Sequence, residues 1–387
     1  MNAPDIAPLL APALDQALLQ LDHQLERFSD CFPGDTSIGG RYQPRALPGF
    51  AAGANAGWTS GFWTGQLLLA YALTDAPRYI DAALPQLASF EQRQRDGIDL
   101  EHHDLGFLYL LTSAAADRLL NLPDARAAAM GAADRLLARF LPGAGVIQSW
   151  GAIGDQEQGG RVIIDGAMNL PLLHWASRIS GRAEYRTVAR SHLARSLPHL
   201  VRPDGASYHT FHFDPATGAP RHASTHQGLN HDSCWARGQA WGIYGLALNH
   251  RHLPDMGLLE QAMRMADYYL ARLPQDSLCL WDLNLDHASG EPRDSSATAI
   301  AVCGLLDIAE QLPDGTARQH YHAQALRQLA ALTEHCCARQ PQHDGLITQG
   351  VYHRLARIGV SEATLWGDYY YLEALARVQH KLAPFGA

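Results

Sequence analysis

Three aspartates, Asp104, Asp165 and Asp294, occupy equivalent places in the sequence, because each stands at the start of a stretch rich in Ala and Leu. An Asp at the start of a helix is a favoured N-cap residue. A carboxyl group held in a cleft can also deliver a proton to a substrate and take one from water. If neighbouring helices bring two such carboxylates together, the like charge raises one pKa and keeps that group protonated. The sequence therefore leaves open which aspartates cap helices and which catalyse.

Short polar motifs mark the starts of six helical stretches, one motif to each stretch. They are Gly61-Phe62-Trp63-Thr64-Gly65, His103-Asp104-Leu105-Gly106, Ile164-Asp165-Gly166-Ala167-Met168-Asn169, Trp235-Ala236-Arg237-Gly238-Gln239-Ala240-Trp241, Arg293-Asp294-Ser295-Ser296 and Trp366-Gly367-Asp368-Tyr369. This repetition predicts a ring of helices whose N-terminal ends converge on one site. The positive ends of the helix dipoles would favour an anionic ligand there.

Helical periodicity dominates the chain and predicts twelve helices. They cover about 6–29, 61–74, 76–94, 104–121, 123–140, 165–180, 183–200, 237–252, 256–272, 295–311, 317–338 and 367–382. Short links such as 181–182 alternate with long loops such as 201–236, which are rich in Gly, His, Asp and Trp. Six helical hairpins with every long loop on one face make an all-α (α/α)6 barrel, expected as one domain over 1–387. Because long loops are usually functional, we expect the site on that face.

Two of the long loops are expected to contain short hairpins. Within loop 201–236, the segment 207–213 alternates in polarity and 214–218 has the composition of a turn. Loop 339–366 is also expected to line part of the ligand site, although the pattern does not assign its individual residues.

The composition indicates a globular protein with a large core. The chain has 387 residues, of which 47% are hydrophobic and 18% charged, and its formal net charge is -9. No run of basic residues is present, which argues against a nucleic acid partner. We find neither a signal peptide nor a membrane-spanning stretch, and the six cysteines include no C-x-x-C pair. These features favour a cytoplasmic protein with reduced thiols.

No cofactor or metal motif stands out. The twenty histidines include neighbours such as His102 and His103, but no spacing matches a known metal-binding helix or finger. No G-x-G-x-x-G, P-loop or G-x-S-x-G segment is present. We therefore expect neither a metal ion nor an organic cofactor.

Seven motifs in register give the chain a specific resemblance between about residues 58 and 375. They are His103-Asp104-Leu105-Gly106-Phe107, Ile164-Asp165 with Met168 to Leu173, Tyr208-His209-Thr210, Thr225-His226-Gln227-Gly228, Trp235 to Trp241, Arg293 to Ser296, and Trp366 to Tyr369. Together they resemble the unsaturated glucuronyl hydrolases of glycoside hydrolase family 88. The resemblance implies an (α/α)6 barrel that processes the unsaturated disaccharides left by polysaccharide lyases in the cytoplasm, without a metal or cofactor.

The resemblance also implies roles for single residues. Asp165 would be the general acid and base, and Asp104 the supporting carboxylate. Seven further residues would contact the sugar: Trp58, His103, Trp150, His209, Gln227, Arg237 and Trp241. The substrate's C4=C5 bond is a vinyl ether, so protonation at C4 and addition of water at C5 would release the unsaturated glucuronic acid from its aglycone.

Simpler structural roles compete with these assignments. Asp104 and Asp165 could be N-caps, and Asp294 is the strongest candidate for a cap alone. Arg237 could pair with Asp232, and a tryptophan on an apolar helix is more often part of the core. We therefore assign Trp63 and Trp235 to the core.

Other functions also compete. A rhamnogalacturonyl hydrolase would share the toroid and the hydration chemistry, and would differ in its aglycone pocket. A sugar epimerase on a similar toroid would be expected to use a pair of histidines as acid and base. A carbohydrate-binding toroid without activity belongs to a different class, and the paired carboxylates argue against it. The sequence leaves open the aglycone, its linkage and sulfation, and whether the protein is a monomer or a dimer.

Overall fold

The computed structural model describes residues 7–155, 157–338, 343–380 and 382–387, and twelve helical stretches lie in this part of the chain. They are α1 (Ala7–Phe28), α2 (Ser60–Thr74), α3 (Pro77–Asp96), α4 (105–120), α5 (Pro123–Ala138), α6 (166–180), α7 (Ala183–Leu200), α8 (Ala236–His250), α9 (Leu258–Leu270), α10 (Ser295–Gln311), α11 (Thr316–His335) and α12 (Leu365–His380). Each predicted helix is confirmed, with shifts of a few residues at the ends.

The even-numbered helices form an inner ring and the odd-numbered helices an outer layer. Each inner helix packs on the next, and α12 packs on α2, which closes the ring. The inner helices α8 and α10 are buried along nearly their whole length, whereas the outer helix α9 buries one face only. One hydrophobic cluster extends through this arrangement from Leu10 to Phe385. The expected (α/α)6 barrel is therefore confirmed.

Residues with a left-handed backbone conformation, together with prolines, produce the short links between inner and outer helices. Asp75, Asn121 and Gly181 end α2, α4 and α6 with φ angles of 53°, 53° and 75°. A residue in this conformation reverses the chain after a helix. Pro77 and Pro123 then begin α3 and α5, where the missing N–H of proline costs nothing. Each such link makes one tight helical hairpin.

Two inner helices are less regular than their sequence pattern predicts. In α4, the segment Leu110–Ala114 widens into a π-helix between Leu105–Tyr109 and Ala115–Leu120. In α6, Gly166–Asn169 and Pro171–Ser180 are separate segments, because Pro171 has no N–H to continue the helix. Both irregular helices begin at a carboxylate, Asp104 or Asp165.

Short strands lie in the long loops. They are β1 (Phe140–Leu141), β2 (Val146–Ile147), β3 (Arg161–Ile163), β4 (Thr210–Phe213), β5 (Pro220–Ser224), β6 (Gly350–His353) and β7 (Ile358–Glu362). The antiparallel pairs β4–β5 and β6–β7 confirm the predicted hairpins. The strand β3, which the sequence pattern did not predict, pairs with β4 and extends that hairpin to three strands. The predicted loop residues 339–342 lie outside the described part.

Two general properties bear on the class of protein. In the described ranges, no helix is both long enough and apolar enough to cross a membrane. All six cysteines are free thiols.

Asp368 ties the loops to the inner ring. Its carboxylate accepts hydrogen bonds from the backbone N–H groups of Leu346 and Ile347 and from the hydroxyl of Tyr42, at 2.9 to 3.1 Å. The side chain is fully buried at the start of α12. Burial raises the pKa of Asp368 to about 7, although these hydrogen bonds oppose the shift.

We expect Asp368→Asn to weaken the pH dependence of folding. The folded state holds the Asp368 proton up to about pH 7, whereas the unfolded chain releases it near pH 4. The group's contribution to stability is therefore complete below about pH 4, falls as the pH rises to about 7, and then stays constant. An amide can keep all three hydrogen bonds without this loss.

The measurement is the free energy of unfolding by urea at pH 5 and pH 8. The parent should lose more stability between these values than Asp368→Asn, by at most about 1.4 kcal/mol per pH unit between pH 4 and 7. An equal loss in both proteins would contradict the assignment.

Candidate active site

A cavity of about 370 Å³ opens at the N-terminal ends of the inner helices. Its lining comes from the long loops and from the first turns of α4, α6 and α8. The lining residues are Gly57, Trp58, Asp99, His102, Asp104, Trp150, Asp165, His209, His226, Gln227, Trp235, Arg237, Trp241, Tyr352, His353 and Ile358. Eight of the nine predicted site residues are in this set, and the ninth, His103, lies behind it.

Asp104 and Asp165 stand at the N-cap positions of α4 and α6, but neither side chain caps its helix. One oxygen of each carboxylate and one ring nitrogen of His103 all lie within 4.8 Å of one another. The structure therefore gives these carboxylates no capping role and places them side by side in the cavity.

The two carboxylates meet because α4 and α6 begin in contact. The backbone N–H of Phe107 donates to the Asn169 side chain at 3.0 Å, and the Asn169 amide donates to the Asp165 carbonyl at 3.3 Å. A Cβ atom at Gly106 would lie 2.5 Å from the Cα of Asn169. Only glycine permits this approach, which explains the Gly and Asn in the two motifs.

The two carboxyl groups have opposite pKa shifts. Burial raises the pKa of Asp165 well above its usual value, the Asp104 carboxylate adds to the rise, and Arg237 opposes it. Burial also acts to raise the pKa of Asp104, but His103, His102 and Arg139 outweigh it and lower the pKa below its usual value. Asp165 therefore holds its proton to a higher pH than its neighbour Asp104 does. Burial, more than the like charge of Asp104, raises the pKa of Asp165, and the groups beside Asp104 produce the difference between the two carboxyls.

His103 is buried behind the pair, with its Nε2 atom 3.3 Å from Asp104 Oδ1 and 3.4 Å from Asp165 Oδ1. These three groups could hold a cation if Asp165 gave up its proton, because a metal ion binds the ionised form of a carboxyl group. The expectation of a metal-free site stays a prediction.

His209 and Gln227 present defined hydrogen-bonding atoms to the cavity. The Nδ1 atom of His209 accepts the backbone N–H groups of His226 and Gln227 at 3.1 and 3.3 Å, so the ring carries its proton on Nε2. Burial lowers the pKa of His209 well below its usual value, which keeps the ring neutral. The Gln227 amide donates to the Tyr352 carbonyl at 2.9 Å, which leaves its oxygen available as an acceptor.

Arg237 is buried and pairs with Asp294, not with Asp232 as the sequence also allowed. Its guanidinium lies 3.5 Å from the Asp294 carboxylate and donates to the carbonyls of Val351 and, at 2.9 Å, Tyr352. These contacts fix the guanidinium at the cavity wall and attach the β6–β7 hairpin to α8.

Asp294 is the N-cap of α10, as expected, but its role is wider. Its Oδ1 atom accepts the backbone N–H groups of Ser296 and Ala297 at 3.1 and 3.4 Å, and that of Val351 at 3.2 Å. Its other oxygen faces Arg237. The expectation of a cap alone is therefore incomplete, because the same carboxylate holds a cavity residue.

The tryptophans form the aromatic walls. Trp58 and Trp150 are partly exposed in the cavity, and Trp241 lies at 1% exposure on its floor. Trp63 is fully buried, in agreement with its assignment to the core. Trp235 is also buried, yet it lines the cavity and packs on His209 with ring centroids 4.4 Å apart.

A model of Glycosyl Hydrolase Family 88 matches residues 38–385. The chain belongs to this family. It is therefore a glycoside hydrolase, and the resemblance carried by the sequence motifs is confirmed.

Members of family 88 match the chain over almost its whole length. The chain is 43% identical over 369 residues to the unsaturated glucuronyl hydrolase of Bacillus sp. (strain GL1), which covers 95% of this chain and 96% of the relative. It is 40% identical over 367 residues to the unsaturated chondroitin disaccharide hydrolase of Streptococcus pneumoniae (strain ATCC BAA-255 / R6), with coverage of 94% and 90%.

Solved structures of this family agree with the barrel. The crystal structure of the Bacillus sp. GL1 enzyme matches with a TM-score of 0.92 and 42% identity, covering 97% of this chain and 98% of that one. A mutant unsaturated glucuronyl hydrolase from Streptococcus agalactiae, complexed with dGlcA-GalNAc6S, matches with a TM-score of 0.84 and 35% identity, covering 97% and 93%.

Sequence reasoning missed several residues of the family 88 cavity. Tyr352, His353 and Ile358 reach it from the β6–β7 hairpin, which was expected to line the site without named residues. His102 and His226 adjoin predicted residues in the same motifs, and this adjacency was the available signal. Asp99 and Gly57 had no signal, because only the folded loops bring them to the cavity.

We expect Asp294→Asn to disturb the cavity as well as the cap. The amide can still accept the backbone N–H groups of α10, but it leaves the buried Arg237 guanidinium without a counter-charge. The loss of stability should be about 1–3 kcal/mol, and the KM for substrate should rise because Arg237 lines the cavity.

The matched control is Asp307→Asn. Asp307 is equally buried in α10 and pairs with Arg251 and Arg377, but it does not line the cavity. It should lose stability without a change in KM. Denaturant unfolding and initial-rate kinetics measure both effects, and an unchanged KM in Asp294→Asn would contradict the role given to Asp294.

Proposed function

We propose that this glycoside hydrolase releases Δ4,5-unsaturated glucuronic acid from the non-reducing end of oligosaccharides produced by polysaccharide lyases. The observation that carries the proposal is the buried pair of carboxyl groups in an aromatic-walled cavity, in which the pKa of Asp165 is raised and that of Asp104 is lowered. Its support includes relatives named as unsaturated glucuronyl hydrolase and unsaturated chondroitin disaccharide hydrolase, and the family member complexed with dGlcA-GalNAc6S.

The substrate is suited to hydration. Its C4=C5 bond is joined to the ring oxygen as a vinyl ether, so a proton added at C4 builds positive charge at C5. Water then adds at C5, and the resulting hemiketal opens and releases the aglycone. This reaction needs one carboxyl group that gives a proton and then accepts one from water, and a second group that sets the pKa of the first.

The cavity offers a group for each requirement. Asp165 holds the proton for C4 and, once ionised, can take a proton from the attacking water. Asp104 supports that protonation state with its negative charge. The neutral His209 donates from Nε2, and Gln227 offers an oxygen, to the sugar hydroxyls. Arg237 can oppose the uronate carboxylate or contact hydroxyls.

The aromatic walls suit a sugar ring. Trp58 stacks on Trp366, with centroids 5.3 Å apart and an angle of 28° between the rings, and donates its indole N–H to the Tyr352 hydroxyl. This fixed indole, together with Trp150 and Trp241, offers flat apolar faces to the sugar.

The spacing of the carboxylates disfavours an inverting displacement at C1. Such a reaction needs carboxyl groups about 6.5–9.5 Å apart to admit a water molecule between them and the sugar. Here the nearest oxygens of Asp104 and Asp165 lie within 4.8 Å. A retaining displacement, with about 5–5.5 Å between the groups, is left as the competing chemistry.

The competing functions differ in specific residues. An epimerase would need histidines that act as acid and base, whereas the Nδ1 atom of His209 is occupied by two backbone N–H groups. A rhamnogalacturonyl hydrolase would share the carboxylates and differ at the aglycone side of the cavity.

The proposed cytoplasmic location is supported by six cysteines without a disulfide.

We expect the protein to abolish the ultraviolet absorbance of lyase-generated disaccharides without added metal or nicotinamide, and to keep this activity in chelator. Asp165→Asn should lower turnover at least about 10²–10⁴-fold, because an amide keeps the shape of the carboxyl group but cannot deliver its proton. Asp104→Asn should also be severely impaired.

The control is Asp214→Asn, in the β4–β5 turn outside the cavity, which should retain normal turnover. A panel of sulfated and unsulfated disaccharides, including pectin fragments, would identify the aglycone. Activity lost in chelator and restored by zinc, or turnover by Asp165→Asn within a few-fold of the parent, would refute the proposal.

Isotope labelling distinguishes hydration from displacement. In heavy water, protonation at C4 should place deuterium at C4 of the released keto sugar. In ¹⁸O-water, the label should enter at C5. Label at C1 with none at C5, detected by NMR and mass spectrometry, would show that the carboxylates act as a conventional glycosidase pair.

A further inference from the structure

One ring nitrogen of His103 lies close to both carboxylates. Its Nε2 atom is 3.3 Å from Asp104 Oδ1 and 3.4 Å from Asp165 Oδ1. Among the described residues, His103 Nε2 and Asp165 Oδ1 are both buried atoms without a hydrogen-bond partner, and they lie 3.4 Å apart. His103 does not line the cavity, so its contacts with the pair come from behind.

A second buried histidine, His192, lies behind the first. It belongs to the outer helix α7 and is 2% exposed. The backbone N–H of Ile147 donates to His192 Nδ1 at 3.0 Å, so the ring carries its proton on Nε2. The neighbouring strand β2 thus fixes the tautomer of His192.

Gly166 leaves the space in which the two imidazoles face each other. A Cβ atom at Gly166 would lie 3.3 Å from both His103 Nδ1 and His192 Nε2. Both of these nitrogens therefore border the space beside Gly166. A protonated Nε2 of His192 beside this space favours a lone pair on Nδ1 and a proton on Nε2 of His103.

We propose that His192 is a positioning residue that fixes His103 as the Nε2–H tautomer, so that His103 donates to the ionised Asp104 and holds it beside the protonated Asp165. The proposal rests on the proposed function for its kinetic readout. It gives a role to two histidines that no step of the hydration uses directly.

His192 is proposed to act on the tautomer of His103 and not on its charge. Burial lowers the pKa of His103 to about 4 and that of His192 to about 3, so both rings are neutral near pH 7. The other charged or titratable groups near the pair are His102 and Arg139, which act on Asp104, and Arg237, which acts on Asp165. His102 and Arg139 also lower the pKa of His103 itself.

Two substitutions separate the N–H donor from the structural role. In His192→Asn, the side-chain oxygen can still accept the Ile147 N–H, but nothing replaces the Nε2–H. In His192→Gln, the amide can restore a donor near that position. Without the donor, Asp104 loses its support, and its pKa should rise by about one unit.

We expect the acid limb of the pH profile of kcat/KM to move up by about one pH unit in His192→Asn, with kcat reduced about tenfold and KM within about twofold. His192→Gln should recover most of both changes. His174→Asn is the matched control, since His174 is a buried histidine bonded to Asn249 that does not line the cavity. It should leave the profile unchanged.

Two NMR measurements need no turnover and so separate failure of this inference from failure of the proposed function. The ¹⁵N spectrum of the parent, assigned with His103→Gln, should show the Nε2–H tautomer of His103. The ¹³C titration of the aspartate carboxyls should show a higher pKa for Asp104 in His192→Asn. An Nδ1–H tautomer, an unshifted titration, or equal defects in the Asn and Gln variants would overturn the inference.

Discussion

The active site depends on the contact between the first turns of α4 and α6 at Gly106. Because glycine lacks a Cβ, the backbone of Asn169 can approach, and its side chain joins the two helix starts. The carboxylates that precede these turns are then forced into one desolvated pocket. Burial acts on both groups, and the neighbouring His103, His102, Arg139 and Arg237 determine which one is ionised. The electrostatic difference is therefore a product of backbone packing.

The barrel was accessible from sequence because it is encoded locally, whereas the roles of Asp104 and Asp165 were implied by the resemblance to family 88. The alternation of short and long connections predicts which helix ends share a face, and the prolines and left-handed residues of the short links act within a few positions. The capping question for Asp104, Asp165 and Asp294 was different. It required the structure, since an Asp at a helix start has the same sequence signature whether or not it caps.

What could not be predicted depends on contacts between distant segments. The partner of Arg237 is Asp294 because the β6–β7 hairpin folds over both, and no spacing along the chain expresses that meeting. The π-helix within α4 has the same apolar pattern as the turns around it. Trp235 was assigned to the core because a tryptophan next to an apolar helix is more often part of the core. It is buried, but one face of a buried residue can still form a cavity wall.

The β6–β7 hairpin is anchored to the cavity wall but exposed at its turn. The carbonyl of Tyr352, near the end of β6, accepts hydrogen bonds from Gln227 and Arg237, whereas Leu355 in the turn that follows is 56% exposed. Changes at the tip can reshape the mouth of the cavity without displacing the proton donor. Substitutions at a few turn positions can therefore change which acceptor sugars such an enzyme accepts, while the carboxylate pair stays in place.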